Sequence, residues 1–291
     1  MSPMGTKVRP IRFQSGLLDE LEQRLHREGE DLSHFVNAAV DRALRGDPRP
    51  LRLVPAPPTR HELADAAIAH RRALLARDDR QARAQIEGLL RRGVRIVDLY
   101  TLVLTPALEE VGDLWDRQEI TVADEHYATE ATAQLLSELA PDRRLAPTRG
   151  RLAVVTGSPG EHHALGARML ADLLERGGWE VIALGAGAPA SALADLVATE
   201  CPDVVALSTA TVGRHPGAEE AVTLLHRVRP RPLIVVGGML YTGPVAELAR
   251  AWGADVVTSD LALAVAELRE RFPPAAAPLA PTPAPGPRGA S

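Results

Sequence analysis

Apolar positions along this chain fall into three regimes. From residue 151 to 271, short apolar runs alternate with amphipathic stretches, the pattern of a parallel sheet with crossover helices. It predicts strands near 152–156, 180–184, 203–208, 232–236 and 255–258. From 60 to 140 the spacing is helical throughout. Ala64 to Arg77 and Ala82 to Leu90 form two runs, and Ile96 to Trp115 a third that Pro106 is expected to kink or divide. Thr121 is placed to cap a fourth helix running to about Leu139. Four such helices make a bundle with a core of Leu, Ile, Val and Ala. The segment from Ala140 to Gly150 separates the two regions.

The third regime occupies residues 1–46. Val8 to Phe13 alternates briefly, and Leu17, Leu18, Leu21 and Leu25 then mark one helical face that Gly29 ends. Asp31 can cap a second helix carrying Leu32, Phe35, Val36, Ala39, Val40, Ala43 and Leu44. A unit of this size cannot bury a core alone, so a dimer is expected. Residues 47–59 are proline-rich and read as an extended linker. Residues 272–291 are rich in proline and alanine, have little to bury, and are expected to be disordered.

Composition narrows the class. Hydrophobic residues make up 45% of the chain, ample for packed cores, whereas aromatics are only 3%. One cysteine, Cys201, excludes an internal disulfide framework and suits a reducing cytoplasm. No apolar run reaches the ~18 residues of a membrane span. A net charge of −5 argues against binding a polyanion over the whole surface.

Candidate chemistry concentrates just after the first predicted strand of the α/β segment, in Gly160-Glu161-His162-His163-Ala164-Leu165-Gly166. A histidine there sits at the carboxyl end of a parallel strand, where open α/β sheets bind ligands. Glu161, two residues before His163, can accept one ring N–H, fixing the tautomer and strengthening the other nitrogen as a donor. Gly166 lets a bulky flat group approach the backbone. Ser208-Thr209-Ala210-Thr211 ends the third strand, and Gly237-Gly238 ends the fourth.

This spacing resembles the lower-ligand motif of cobalamin-binding domains, Asp/Glu-x-His-x-x-Gly. The resemblance implies a flavodoxin-like five-stranded sheet in which His163 is the lower axial ligand of cobalt. It also implies that the displaced nucleotide tail enters beside Ser208, Thr209, Thr211, Gly237 and Gly238. In the helical segment, Trp115, Val122, Glu125 and His126 resemble the cap of light-sensing CarH-type repressors. On that resemblance Trp115 and Val122 line the space of an adenosyl group, Glu125 accepts hydrogen bonds from its ribose hydroxyls, and His126 sits close by. Some members carry a histidine directly after the tryptophan; here it is Asp116, so His126 or water is the candidate upper ligand after light.

CarH-type proteins usually begin with a MerR-like winged helix, whereas the first 46 residues here resemble a ribbon-helix-helix dimer, whose paired strands enter the major groove. Arg12 is then the base-reading candidate, with Lys7 and Arg9 auxiliary and Ser33 a phosphate contact. Residues 1–50 hold eight basic and eight acidic side chains, so a dimerisation or protein-binding module remains open.

The expected protein is therefore a multidomain, non-enzymatic, cytoplasmic, homodimeric or tetrameric regulator. It would bind adenosylcobalamin and operator DNA, and photolysis of the cofactor would change its oligomeric state. Two alternatives stay open: a corrinoid methyl carrier for a methyltransferase, and a light- or cobalamin-sensing antirepressor that binds a protein.

Overall fold

The computed structural model describes residues 35, 36, 39, 58–139, 150–210 and 215–273. Phe35, Val36 and Ala39 are helical, as their spacing predicts. The expected ribbon strand, Lys7, Arg9, Arg12, Ser33, Thr211, the linker through residue 57 and the tail from residue 274 lie outside the described residues. The described residues of 59–90 and of 94–273 form one unit that contains both the helical bundle and the α/β sheet.

The bundle begins with α1 (Arg60–Leu75). Thr59 and Glu62 form a reciprocal capping box that satisfies two backbone donors at its start. Then come α2 (Asp79–Arg91), α3 (Ile96–Leu99) and α4 (Thr105–Asp116). A π-helical turn, Tyr100–Leu104, joins α3 to α4, and the Thr105 N–H bonds to the Tyr100 carbonyl five residues back. Pro106 explains the wider turn: it has no N–H for the carbonyl four residues earlier, and its ring would crowd that carbonyl in an α-helix. The helix is thus interrupted near Pro106, as predicted, but by a change of winding instead of a break. Between α4 and α5 (Val122–Leu139), Gln118 takes a left-handed φ of 60°. Thr121 caps α5 in a box with Asp124, whose carboxylate accepts from the Thr121 N–H and hydroxyl.

The second part is a five-stranded parallel sheet in the order β2-β1-β3-β4-β5. Its strands are β1 (Leu152–Gly157), β2 (Glu180–Gly185), β3 (Val204–Ser208), β4 (Leu233–Gly237) and β5 (Val256–Thr258). This is the doubly wound flavodoxin order, whose topological switch point lies between β1 and β3. Helices α6 (Leu165–Arg176) and α10 (Leu261–Arg271) pack on one face with the bundle. Helices α7 (Ala190–Glu200), α8 (His215–Leu225) and α9 (Gly243–Ala251) complete the unit. β1, β3 and β4 are nearly continuous apolar runs because both sheet faces are covered. Cys201 is exposed, in left-handed conformation at the end of α7, so it does not support the β3 core. No helix among the described residues is long and apolar enough to cross a membrane.

One apolar cluster runs from bundle residues such as Leu99, Val103 and Leu136 to sheet-domain residues such as Met169, Leu173 and Val155. Polar bonds fix the same junction. The Tyr100 hydroxyl donates to Asp172 Oδ2 over 2.9 Å, Arg176 Nε donates to the same oxygen over 2.6 Å, and Arg176 Nη2 reaches the Leu139 carbonyl over 2.7 Å. Asp172 is 2% exposed, so this carboxylate is buried with its charge compensated.

The bundle core also contains His70, 1% exposed, with no hydrogen-bond partner for either ring nitrogen among the described residues. Burial lowers its pKa from 6.5 to about 4; the neighbouring Gln85 amide opposes this, though the pair falls short of hydrogen-bond geometry. The unfolded chain therefore binds a proton at His70 that the folded chain refuses between those two values. Stability should fall as pH drops through that window, by on the order of 3 kcal/mol at its lower end. Urea unfolding at pH 7 and pH 4.5 checks this: His70→Phe should flatten the difference, and an unchanged slope would remove His70 as its source.

Candidate functional site at the sheet switch point

The loops leaving the carboxyl ends of β1 through β4 interlock at the switch point. Ser158 N–H donates to the Ser208 carbonyl, Glu161 N–H to the Ser158 carbonyl, Gly187 N–H to the Glu161 carbonyl, and Thr209 N–H to the Gly237 carbonyl, all at 2.8–2.9 Å. Two glycines make this crossing possible. A Cβ on Gly187 would lie 1.7 Å from the Ser158 carbonyl oxygen, and one on Gly238, at φ 122°, only 2.1 Å from the Thr209 carbonyl oxygen.

Glu161 sits at the centre of the crossing, with its side chain 1% exposed. Oε1 accepts from the His162 and His163 backbone N–H groups at 2.9 and 3.0 Å and lies 2.6 Å from His163 Nδ1. Oε2 accepts from the Ala210 N–H at 3.0 Å, tying the β1 loop to the β3 loop. A carboxylate in this position accepts the Nδ1 proton, so Nε2 carries the lone pair of the His163 ring. The His163 side chain is 53% exposed. The loop thus presents an oriented imidazole at the surface from a buried anchor.

Not every residue of the expected tail site has the same surroundings. Ser208 is half-buried, and its Oγ would lie 2.9 Å from a Cβ on Gly166. A side chain at Gly166 would therefore crowd the Ser208 hydroxyl as well as any ligand that approaches this backbone. Thr209 is fully buried; its hydroxyl is 2.6 Å from Ser158 Oγ and 3.0 Å from the Tyr241 hydroxyl. Gly237 and Gly238 lie at the end of β4 beside Thr258 and Thr209.

The cap residues lie at the turn between α4 and α5. Trp115 is 45% exposed and Val122 51% exposed, so two large apolar side chains face outward at neighbouring helix ends. The Glu125 side chain is 16% exposed; its carboxylate accepts from the Thr129 hydroxyl at 2.9 Å and pairs with His126 Nδ1 at 2.6 Å. His126 itself is 75% exposed.

This donor set suits a metal that arrives inside its own macrocycle. Among the described residues there is no cluster of three or more His, Cys, Asp and Glu side chains able to hold an ion. One oriented histidine backed by a buried carboxylate could still hold the metal of a corrinoid, His163 as the ligand and Glu161 as its anchor. Trp115 and Glu125 stand out only through their resemblance to the CarH-type cap, whereas spacing singles out Glu161 and His163. It does not reveal Ser158, Tyr241, the Ala210 N–H or the Asp172–Tyr100 pair, which are joined only by the fold. Their one sequence signal is the scarcity of aromatics, which makes each tyrosine conspicuous.

Comparison with known proteins agrees with this reading. Residues 151–269 match one B12 binding domain family and residues 62–140 match a second. The HTH-type transcriptional repressor CarH of Myxococcus xanthus is 37% identical over 139 residues, which are 47% of this chain and 45% of that protein. The chain therefore spans less than half the length of that repressor. The trimethylamine corrinoid protein of Methanosarcina barkeri is 27% identical over 198 residues, 66% of this chain and 89% of that one. The structure of a Methanosarcina barkeri monomethylamine corrinoid protein superposes with a TM-score of 0.60 at 18% identity, covering 70% of this chain and 96% of that chain, a likeness of fold. Residues 62–140 and 151–269 are thus each similar to a B12 binding domain, and the cofactor class that these matches indicate is a cobalamin or related corrinoid.

Proposed function

We propose that this chain is an adenosylcobalamin-dependent, light-sensing transcription regulator and not an enzyme. The observation that carries the reading is the cap: Trp115 and Val122 expose apolar surface at the neighbouring ends of α4 and α5, and α5 also carries a Glu125 carboxylate oriented by Thr129 and His126. Adenosylcobalamin would supply a photolabile cobalt–carbon bond. The chain's own residues would bind and orient: His163 as axial ligand held by Glu161, Trp115 and Val122 as apolar walls, Glu125 as acceptor for a sugar diol. Ser208 and the glycines at the end of β4 would lie along the nucleotide tail. The repressor likeness supports a regulatory role, with DNA contacts proposed for Lys7, Arg9, Arg12 and Ser33 in the N-terminal unit and a homodimer or tetramer as the working assembly.

Trp115→Ala should weaken adenosylcobalamin binding about 10- to 100-fold while changing methylcobalamin binding by less than about threefold, because the indole would contact only the larger upper group. Equilibrium titration with both cofactors checks this; equal losses would remove the adenosyl argument. Sedimentation of the loaded full chain, in darkness and after green light, tests the regulator itself. A light-dependent change in mass supports it, and identical mass in both states contradicts it. A salt-dependent gel shift lost in Arg12→Ala would place the partner as DNA, whereas no shift would favour an antirepressor that binds protein.

A corrinoid methyl carrier is the second reading. It is favoured by the long match to the trimethylamine corrinoid protein, 89% of that chain. Tighter binding of methyl- than adenosylcobalamin would support it.

A further inference from the structure

Three buried hydroxyl side chains from three different loops meet at the carboxyl ends of the strands. Ser158 follows β1, Thr209 follows β3 and Tyr241 follows β4. Ser158 and Thr209 are fully buried and Tyr241 is 2% exposed. Thr209 Oγ1 is the middle member, 2.6 Å from Ser158 Oγ and 3.0 Å from the Tyr241 hydroxyl. A hydroxyl carries one proton and two lone pairs, so the middle group can donate to one neighbour while accepting from the other. Burial raises the Tyr241 pKa; the hydroxyls of Thr209 and Ser158 oppose this and the Glu161 charge adds to it, with a net rise, so the phenol keeps its proton.

The chain of hydroxyls ends next to the backbone that places Glu161. Ser158 receives the Glu161 N–H on its carbonyl, and Thr209 immediately precedes Ala210, whose N–H donates to Glu161 Oε2. Both backbone supports of the Glu161 carboxylate loop are therefore one residue or less from a hydroxyl of the chain. Tyr241 reaches them from the far side, held by its N–H to the Gly238 carbonyl, 3.1 Å. Gly238 in turn packs directly against the Thr209 carbonyl.

We propose that Tyr241 is a positioning residue for the lower-ligand loop, acting through Thr209 and Ser158 to hold Glu161, and with it the His163 ring, in register. On this assignment the Thr209 hydroxyl serves the clamp and not the nucleotide tail, which leaves Ser208 as the hydroxyl at the end of β3 for a ligand. Its consequence for cofactor binding rests on the cobalamin reading; the clamp itself does not.

Tyr241→Phe removes one oxygen and keeps the ring. Amide hydrogen exchange in the cofactor-free full chain reads the clamp directly. Loss of this bond should speed exchange at the His163 and Ala210 amides by about tenfold relative to wild type, while amides in the middle of β1 and β3 change little. Thr209→Val, which removes the middle hydroxyl, should do the same and serves as the decisive variant if Tyr241→Phe folds poorly. Equal acceleration at loop and strand amides would make Tyr241 a general core residue and overturn the proposal; so would unchanged exchange at the loop. In the loaded protein, hydroxocobalamin should bind Tyr241→Phe with a reduced histidine-ligated fraction in its visible spectrum. Failure of wild type to bind hydroxocobalamin would sink the cofactor reading while leaving the exchange result to decide the clamp.

Discussion

Glu161→Ala should destabilise the cofactor-free chain by about 3 kcal/mol and reduce corrinoid affinity by more than a hundredfold. The stability loss follows from the three backbone N–H groups, on His162, His163 and Ala210, that converge on this buried carboxylate. Removing the acceptor leaves them unpaired in a crossing too tight for easy relaxation, since Gly187 and Gly238 already permit backbone contact at the limit. The affinity loss has a separate origin. Without Glu161 Oε1 at 2.6 Å from Nδ1, the His163 ring loses its fixed tautomer and direction. Glu161→Gln separates the two effects: its one carbonyl oxygen can still accept from the His162 and His163 N–H groups while its amide nitrogen cannot accept from Ala210, so stability should drop less than in Glu161→Ala, by about 1–2 kcal/mol, while affinity still falls about 10- to 100-fold. Urea unfolding and equilibrium titration with hydroxocobalamin measure the pair. Unchanged affinity in Glu161→Gln would mean that the carboxylate only builds the loop.

Asp172→Ala should cost about 3–5 kcal/mol, the range for leaving one partner of a buried ion pair uncompensated. Arg176 loses its 2.6 Å bond, and the fully buried Tyr100 hydroxyl loses its acceptor. Tyr100→Phe removes only the neutral bond and should cost about 1–2 kcal/mol. Asp172 lies on α6, Tyr100 on the π-helical turn, and Arg176 also reaches the Leu139 carbonyl at the end of α5. The cost therefore falls on the junction between bundle and sheet domain. A double-mutant cycle should show that the two losses are not additive, because Tyr100 and Arg176 share one oxygen. Additive losses would mean that the two bonds act independently.

These two predictions differ in how far the sequence anticipates them. Glu161 is legible because its partner lies two residues away, and because short apolar runs locate the strand before it. The five strands and the four bundle helices are legible for the same reason, being local periodicities of apolar residues. Pro106 announces a disturbance, but apolar spacing does not tell a π-helical turn at Tyr100–Leu104 from a kink or a break. Asp172 reads in sequence as the polar side of an amphipathic helix, because its partner Tyr100 is 72 positions away. The Ser158–Thr209–Tyr241 chain is likewise long-range, spanning 51 and 32 positions. Thr209 is the example: the sequence places its hydroxyl at a strand end, while its partners Ser158 and Tyr241 come from other loops.

The cap shows the complementary case. Trp115 and Val122 have spacing compatible with a bundle core, yet both side chains are about half exposed in the folded chain. In the proposed function, the cofactor's upper group would rest on this exposed apolar surface. The bundle closes its own core without them, through residues such as Leu99, Val103 and Leu104, all fully buried.

The visible absorption spectrum of the full chain loaded with adenosylcobalamin, recorded in darkness and again after green light, tests the central claim most directly. The account predicts a dark spectrum with the cofactor's own base displaced by histidine, an irreversible change on illumination, and loss of the histidine-ligated form in His163→Ala. A dark spectrum that is the same in wild type and His163→Ala, or one that light leaves unchanged, would contradict it.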